Sequence, residues 1–130
     1  MKNLDQIRAK NALAAADGGR FRGVNDGQVV KKVPTMIREN GILGALAFAT
    51  ERKDSGALKN EGHHDVWQAI TTHLADPGIV KIKSACTPEQ FIACLAGHDE
   101  VTAARLRAIT AETMAYLSYL RRFAGKASGD

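Results

Sequence analysis

The chain has 130 residues, of which 45% are hydrophobic, 5% aromatic and 25% charged, and its formal net charge is +4. This length predicts a single domain over residues 1–130 that is large enough to bury a core. The sequence has no apolar run of about eighteen residues and no apolar signal-peptide region near its start, so we expect a cytoplasmic protein with no membrane contact. Two cysteines, Cys86 and Cys94, are too few for a disulfide framework.

The first helix is predicted from a capping pair, Asn3 with Gln6, and runs to about Ala16. The segment Asp17–Gly27 contains four glycines and is predicted to be a loop. It places two arginines around Phe21, which is similar to an RGG-type RNA-binding fragment. A flexible connector is the simpler interpretation of the same loop.

The second helix is predicted from a cap at Asp26 through Asn40, with valines and an isoleucine on its inner side. Pro34 falls inside this pattern and is expected to kink the helix or to start a new one. Gly41 is a helix C-terminal signal, and a third helix, apolar all round, is predicted over about Ile42–Arg52.

The fourth and fifth helices have clear boundaries. His63–Ala75 is amphipathic and is stopped by the following Asp-Pro-Gly, and Thr87–Gln90 combines a cap, a proline and a glutamine at the start of a helix that ends at Gly97. Ile79–Lys83 is apolar and basic and can be extended, but one strand makes no sheet. With a last helix beginning at Asp99, the prediction is an all-α bundle of about six helices.

The last helix, over Val101–Ala124, contains no glycine or proline. One side carries a predicted core stripe of Leu106, Ile109, Thr113, Leu117, Leu120 and Ala124. The opposite side is not charged, as it would be on an ordinary surface helix, but carries Ala108, Ala111, Ala115 and Tyr119. A long helix with two such sides needs two neighbours, so we predict that these four residues contact another subunit.

No pattern in the chain predicts a catalytic residue, a metal site or a cofactor. His63, His64 and His73 lie near Asp65 in the sequence, but two ligands on one helix side need a spacing of three or four residues, which none of these histidines has. The first two are interpreted as a solvated helix start. Trp67 is interpreted as a core anchor, although an exposed tryptophan can stack on a base.

Basic residues gather in two parts of the chain. Residues 1–60 carry eleven Lys and Arg against six Asp and Glu, residues 61–100 carry two against six, and residues 101–130 carry five against two. Lys31, Lys32 and Arg38 lie on the outer side of the second helix, and Arg121–Arg122 closes the last helix. This distribution predicts RNA contact by these five residues, although solvated helix faces, and for the last pair the helix dipole, explain it equally well.

Three segments resemble a known family. They are VPTMIRENGILGALAFA at Val33–Ala49, HDVWQAITTHL at His64–Leu74 and LRAITAETMAYLSYLRRFA at Leu106–Ala124. Together, in this order and in a chain of this length, they are similar to the small, all-helical subunit of the type III-B CRISPR–Cas effector, which is the Cmr or RAMP-module complex. The glycine-rich loop departs from that pattern, which leaves any contact by Arg20 and Arg22 in doubt.

The resemblance implies a non-catalytic subunit for antiviral defence. Its expected partners are the RAMP backbone subunit, along which it packs, further copies of itself stacked head to tail, and the guide and target RNA in the channel that the copies line. Two other classes remain open from the residues alone. One is a stand-alone helical nucleic-acid-binding protein, and the other is a small metal-dependent ribonuclease.

Overall fold

The computed structural model describes residues 3–17, 21, 28–97 and 102–125. These residues form five helices and no β-sheet, so the all-α prediction is confirmed. The helices are α1 (Leu4–Ala16), α2 (Gln28–Ala49), α3 (Glu61–Leu74), α4 (Pro88–Gly97) and α5 (Ala103–Gly125). The predicted count of six is wrong, because the predicted second and third helices form one element, α2, with a break inside it.

The break in α2 lies at Gly41, where φ is +76° and ψ is 169°. Only glycine adopts this conformation without strain, because it has no Cβ. Helical geometry continues through Pro34, so no new helix starts there. The proline ring fixes φ near its helical value, and the ring itself is buried in the core.

Two helix starts follow the predicted capping chemistry. The Asn3 side chain accepts a hydrogen bond from the backbone N of Gln6 at 2.8 Å, and the Gln6 side chain accepts one from the backbone N of Asn3 at 3.0 Å. Thr87 and Gln90 form the same reciprocal pair ahead of α4, at 3.1 and 2.9 Å. The predicted cap at Asp26 lies outside the described residues.

The connections around α3 are irregular. After α2 ends at Ala49 rather than at the predicted Arg52, the chain makes a tight turn closed by hydrogen bonds from the backbone N of Lys53 to the O of Ala57 at 2.8 Å. Asn60 Nδ2 donates to the backbone O of Phe48 at 2.8 Å and ties this turn to α2. Ile79–Lys83 forms turns and bends, so no strand is found there.

The core lies where α2, α3 and α5 meet, with α1 packed along α5 and α4 packed on α2 and α3. Trp67 is fully buried at this junction, which confirms it as a core residue. It belongs to one buried cluster with aliphatic side chains from the three central helices, among them Val30, Val33, Leu46, Ile70, Leu117 and Leu120. Two predicted features of the core, the inner side of α2 and the stripe of α5, are confirmed.

The buried side of α5 is wider than the predicted stripe. Ile109, Thr113 and the other stripe residues are buried apart from Leu106, which is half-buried. Glu112 and Tyr116 are buried as well, because α1 covers that side of the helix. The predicted start at Asp99 lies outside the described residues, and Thr102 caps the helix that begins at Ala103.

Cys86 and Cys94 are free thiols, and Cys94 lies exposed on α4. Among the described residues, no helix combines the length and the apolar character needed to cross a bilayer.

Candidate nucleic-acid interface

The outer side of α2 is cationic. Lys31, Lys32 and Arg38 are all exposed, because the opposite side of the helix is committed to the core through Val30 and Val33. Within the described part of the chain, none of the three cations forms an ion pair. Their charges are therefore directed to solvent or to a partner.

The tertiary structure adds Arg121 of α5 to this surface. Arg38 and Arg121 line one groove of about 120 Å³ between α2 and α5, with Pro34 and Ser118 in its wall. Like the cations of α2, Arg121 is exposed and forms no ion pair with a described residue. We call Lys31, Lys32, Arg38 and Arg121 the basic face.

Arg122 is separated from the basic face. It is the next residue along α5 and therefore points about 100° away from Arg121, towards the side of Ala111 and Ala115. It is exposed there. The geometry thus brings together four of the five cations that the sequence associates with RNA, and places the fifth on another side of the molecule.

At the far edge of the basic face, an open pocket of about 390 Å³ lies between α2 and α3. Lys31 and Lys32 stand at this pocket, and Met36, Phe48 and His63 form part of its wall. The Phe48 and His63 rings meet edge to face, with their centroids 4.9 Å apart and their planes at 75°. We call this cavity the α2–α3 pocket.

His63 is not the solvated residue that the sequence predicts. It is half-buried, and its Nδ1 is buried without a hydrogen-bond partner among the described residues. Burial, and then the nearby charge of Lys32, lower the pKa of His63 below its ordinary value. The imidazole is therefore neutral at pH 7 and adds no charge to the pocket.

The outer side of α5 presents small residues. Ala108 and Ala111 are exposed, while Ala115 and Tyr119 are half-buried. The Tyr119 ring lies 6.4 Å from the ring of Phe123, centroid to centroid. The four residues of the predicted subunit interface therefore lie at the surface, where a second chain has access to them.

A buried polar network, which no sequence pattern predicts, joins α1, α3 and α5. Glu112 accepts two hydrogen bonds from Arg8, at 2.8 and 2.7 Å, and its Oε2 lies 2.8 Å from Nε2 of His73. Asn11 Nδ2 lies 2.9 Å from Nδ1 of His73 and donates to Asp76 at 3.1 Å. These five residues link three helices through side-chain hydrogen bonds.

The contacts define the charge state of the network. Burial lowers the pKa of His73 more than the adjacent Glu112 carboxylate raises it, so His73 is neutral at pH 7. Its Nε2–H then donates to Glu112 and its Nδ1 accepts from Asn11. Burial raises the pKa of Glu112, but hydrogen bonds from Arg8 and His73 outweigh this, and the net pKa is lowered.

This network packs the three helices against one another. The Tyr116 ring stacks on the His73 ring, with centroids 4.2 Å apart, and the His73 side chain has no exposed surface. Both ring nitrogens are engaged by protein groups, Nδ1 by Asn11 and Nε2 by Glu112. In the sequence, Glu112 is only an acid next to the core stripe of α5. An acid at that position is indistinguishable from an ordinary surface residue until it is known that α1 covers this side of the helix.

His64 is likewise held by protein groups. Its Nε2 lies 3.0 Å from both carboxylate oxygens of Glu89, and Arg52 donates to the same carboxylate at 2.7 Å. This cluster fastens α3 to the start of α4 and to the turn after α2. Across the described part of the chain, no group of three His, Cys, Asp or Glu side chains is placed to hold a metal ion.

Comparison with known proteins agrees with the resemblance in the three segments. Residues 4–127 match the family model described as CRISPR-associated protein (Cas_Cmr5). No curated protein and no solved structure matches the chain. The family match spans all five helices and thus almost the entire chain. The chain therefore belongs to the Cas_Cmr5 family, the small subunit of the type III-B CRISPR–Cas effector complex.

Proposed function

We propose that this Cmr-complex subunit acts without catalysis, by packing along the RAMP backbone subunit with its basic face towards the guide and target RNA. The observation that supports RNA contact is the basic face itself. Four cations from two helices share one surface, and none has a carboxylate partner among the described residues. Phosphate groups are natural counterions for such a surface, and contact with them requires no particular base sequence.

The test replaces three cations of the basic face with acids in the reconstituted complex. The triple variant Lys31→Glu, Lys32→Glu, Arg38→Glu should assemble normally, because all three side chains are exposed. Each lost phosphate contact lowers the salt slope of binding by about 0.7 to 0.9, so the slope should fall by about two units, with guide matching unchanged.

A matched control carries the same change of charge elsewhere. Lys53→Glu, Lys59→Glu, Lys83→Glu alters three exposed lysines that are not part of the basic face. If the control loses as much affinity for target RNA as the test variant does across a salt series, long-range charge explains the loss and direct contact by the basic face does not. If the test variant binds like the unmodified complex, the basic face contacts solvent or an acidic protein surface rather than RNA.

The second part of the proposal concerns assembly. The outer side of α5, formed by Ala108, Ala111, Ala115 and Tyr119, is proposed to contact a neighbouring subunit, either another copy or the backbone subunit. Small side chains allow a second helix to approach closely, and a tyrosine offers both apolar area and a hydrogen bond.

Ala111→Glu tests this interface. Ala111 is exposed, so the isolated chain should keep its stability within about 0.5 kcal/mol, while its incorporation into the complex should fall. Ala96→Glu, at an exposed position of α4, is the control and should incorporate normally. Unfolding of the isolated Ala111→Glu chain, or normal incorporation of that chain, would each contradict the interface.

A further inference from the structure

We propose that the α2–α3 pocket holds one unpaired RNA base, with the phosphate of that nucleotide at Lys31 and Lys32. The identity of the ligand as RNA rests on the proposed function, whereas the assignment to this pocket rests on its own geometry. Its volume of about 390 Å³ lies within the range of ligand sites in proteins, about 300 to 1,000 Å³.

The charges in the pocket are arranged along the axis of α2. Lys31 and Lys32 lie at one end, and Glu39, which also lines the pocket, lies seven or eight residues further on. At a rise of 1.5 Å per residue, this separates the cations from the carboxylate by about 10 to 12 Å. An anionic phosphate is attracted to the lysine end and repelled from Glu39, whose oxygens accept hydrogen bonds from the amino group of a base.

Between these two ends part of the pocket wall is apolar. Met36 and Phe48 contribute carbon and sulfur surface, and Phe48 is only half-buried, so its ring is accessible. Bases in single strands stack on aromatic side chains, and a methionine adapts to a flat ring. A base within a duplex is already stacked and paired, so only an unpaired base can enter this pocket.

His63 also lines the pocket, and it is a polar residue with one ring nitrogen that has no hydrogen-bond partner among the described residues. This atom is Nδ1, and the lack of a partner is costly for a buried polar atom. Because the imidazole is neutral, the positive charge of the pocket is confined to the lysine end. This favours the orientation in which the phosphate of the nucleotide lies at Lys31 and Lys32. An acidic peptide would bring carboxylates towards Glu39, and its acidic side chains have no aromatic ring to stack on Phe48.

The experiment is an NMR titration of the full-length chain with two probes, a nucleoside 5′-monophosphate and ribose 5-phosphate. The nucleotide should shift the ring signals of Phe48 and His63, while ribose 5-phosphate should act only near Lys31 and Lys32. Phe48→Leu should weaken nucleotide binding about fivefold and leave the response to ribose 5-phosphate unchanged. The comparison of the two probes on the unmodified chain needs no variant and therefore does not depend on the folding of Phe48→Leu.

Failure of this inference is distinguishable from failure of the proposed function. Equal responses to the two probes, confined to the lysines, would overturn the base pocket and leave the basic face intact. No response to the nucleotide at any concentration up to several millimolar would also overturn the pocket. A short acidic peptide, titrated in a separate series, should bind more weakly than the nucleotide; tighter binding of the peptide would overturn the base pocket and assign it to a protein partner. The basic face is judged separately, by the triple variant in the assembled complex.

Discussion

Replacing Glu112 with alanine should be among the most destabilising single changes in this chain. The substitution removes both hydrogen bonds of the carboxylate to Arg8 and its contact with His73. It leaves a guanidinium whose side chain is 18% exposed and an imidazole whose side chain is fully buried. Breaking a buried ion pair from one side costs about 3 to 5 kcal/mol, because the remaining charge stays desolvated.

The lower end of that range applies here. Arg8 keeps some contact with solvent and a second partner, Asp5, at 3.0 Å. We therefore expect Glu112→Ala to reduce the free energy of unfolding by about 3 kcal/mol, a large part of the 5 to 15 kcal/mol typical of a domain. The melting temperature should fall by about 10 °C.

Urea denaturation followed by circular dichroism at pH 7.5 measures this effect. Glu39→Ala is the control, because Glu39 is exposed on α2 and forms no ion pair with a described residue, and it should change the free energy by less than about 0.5 kcal/mol. In a double-mutant cycle of Arg8→Met and Glu112→Leu, the double variant should lose less stability than the sum of the two single variants. The reason is that two apolar side chains at these positions leave neither partner of the ion pair buried and unpaired. A loss below about 1 kcal/mol for Glu112→Ala, or purely additive effects in the cycle, would refute the reasoning.

Three further predictions concern pH, the break in α2 and catalysis. The pKa of His73 is lowered on folding, so the unfolded chain binds this proton at a higher pH than the folded chain does. The melting temperature should therefore fall as the pH is lowered from about 6.5. The pKa of Glu112 is also lowered on folding, and the stability that this carboxylate contributes should be lost below about pH 4.5. Gly41→Ala should cost about 2 kcal/mol by urea denaturation because φ there is +76°, whereas Gly97→Ala, where a Cβ meets no atom, should be close to neutral. The purified chain should not cleave single-stranded RNA in a gel assay, and cleavage that disappears in His64→Ala would contradict a non-catalytic role.

Local sequence determined the helices of this protein and most of its core. Capping depends on groups three residues apart, so the pairs at Asn3 and at Thr87 are visible before any tertiary contact is known. The apolar period of α5 and the inner valines of α2 likewise identify their buried sides. Family membership also comes from sequence, because three helical segments keep their order and spacing along the chain.

Pro34 and Gly41 are two helix-breaking signals in the same segment, and the structure follows only the second. A proline ring inside a helical pattern predicts an interruption, but its φ is compatible with the helix and the core accommodates the ring. The backbone instead leaves helical geometry at the glycine, where positive φ carries no steric cost. The break at the predicted Gly41 signal is therefore confirmed, whereas no new helix starts at Pro34.

Only the tertiary structure decided which polar groups meet. Glu112 is separated from Arg8 by 104 residues, and Arg38 reaches Arg121 only because α2 lies against α5. The contact of Phe48 with His63 equally depends on how α2 and α3 are placed. Helix periodicity assigns a residue to a side of its own helix, but it carries no information about which other helix covers that side, and this is why the basic face and the buried network emerge only from the folded chain.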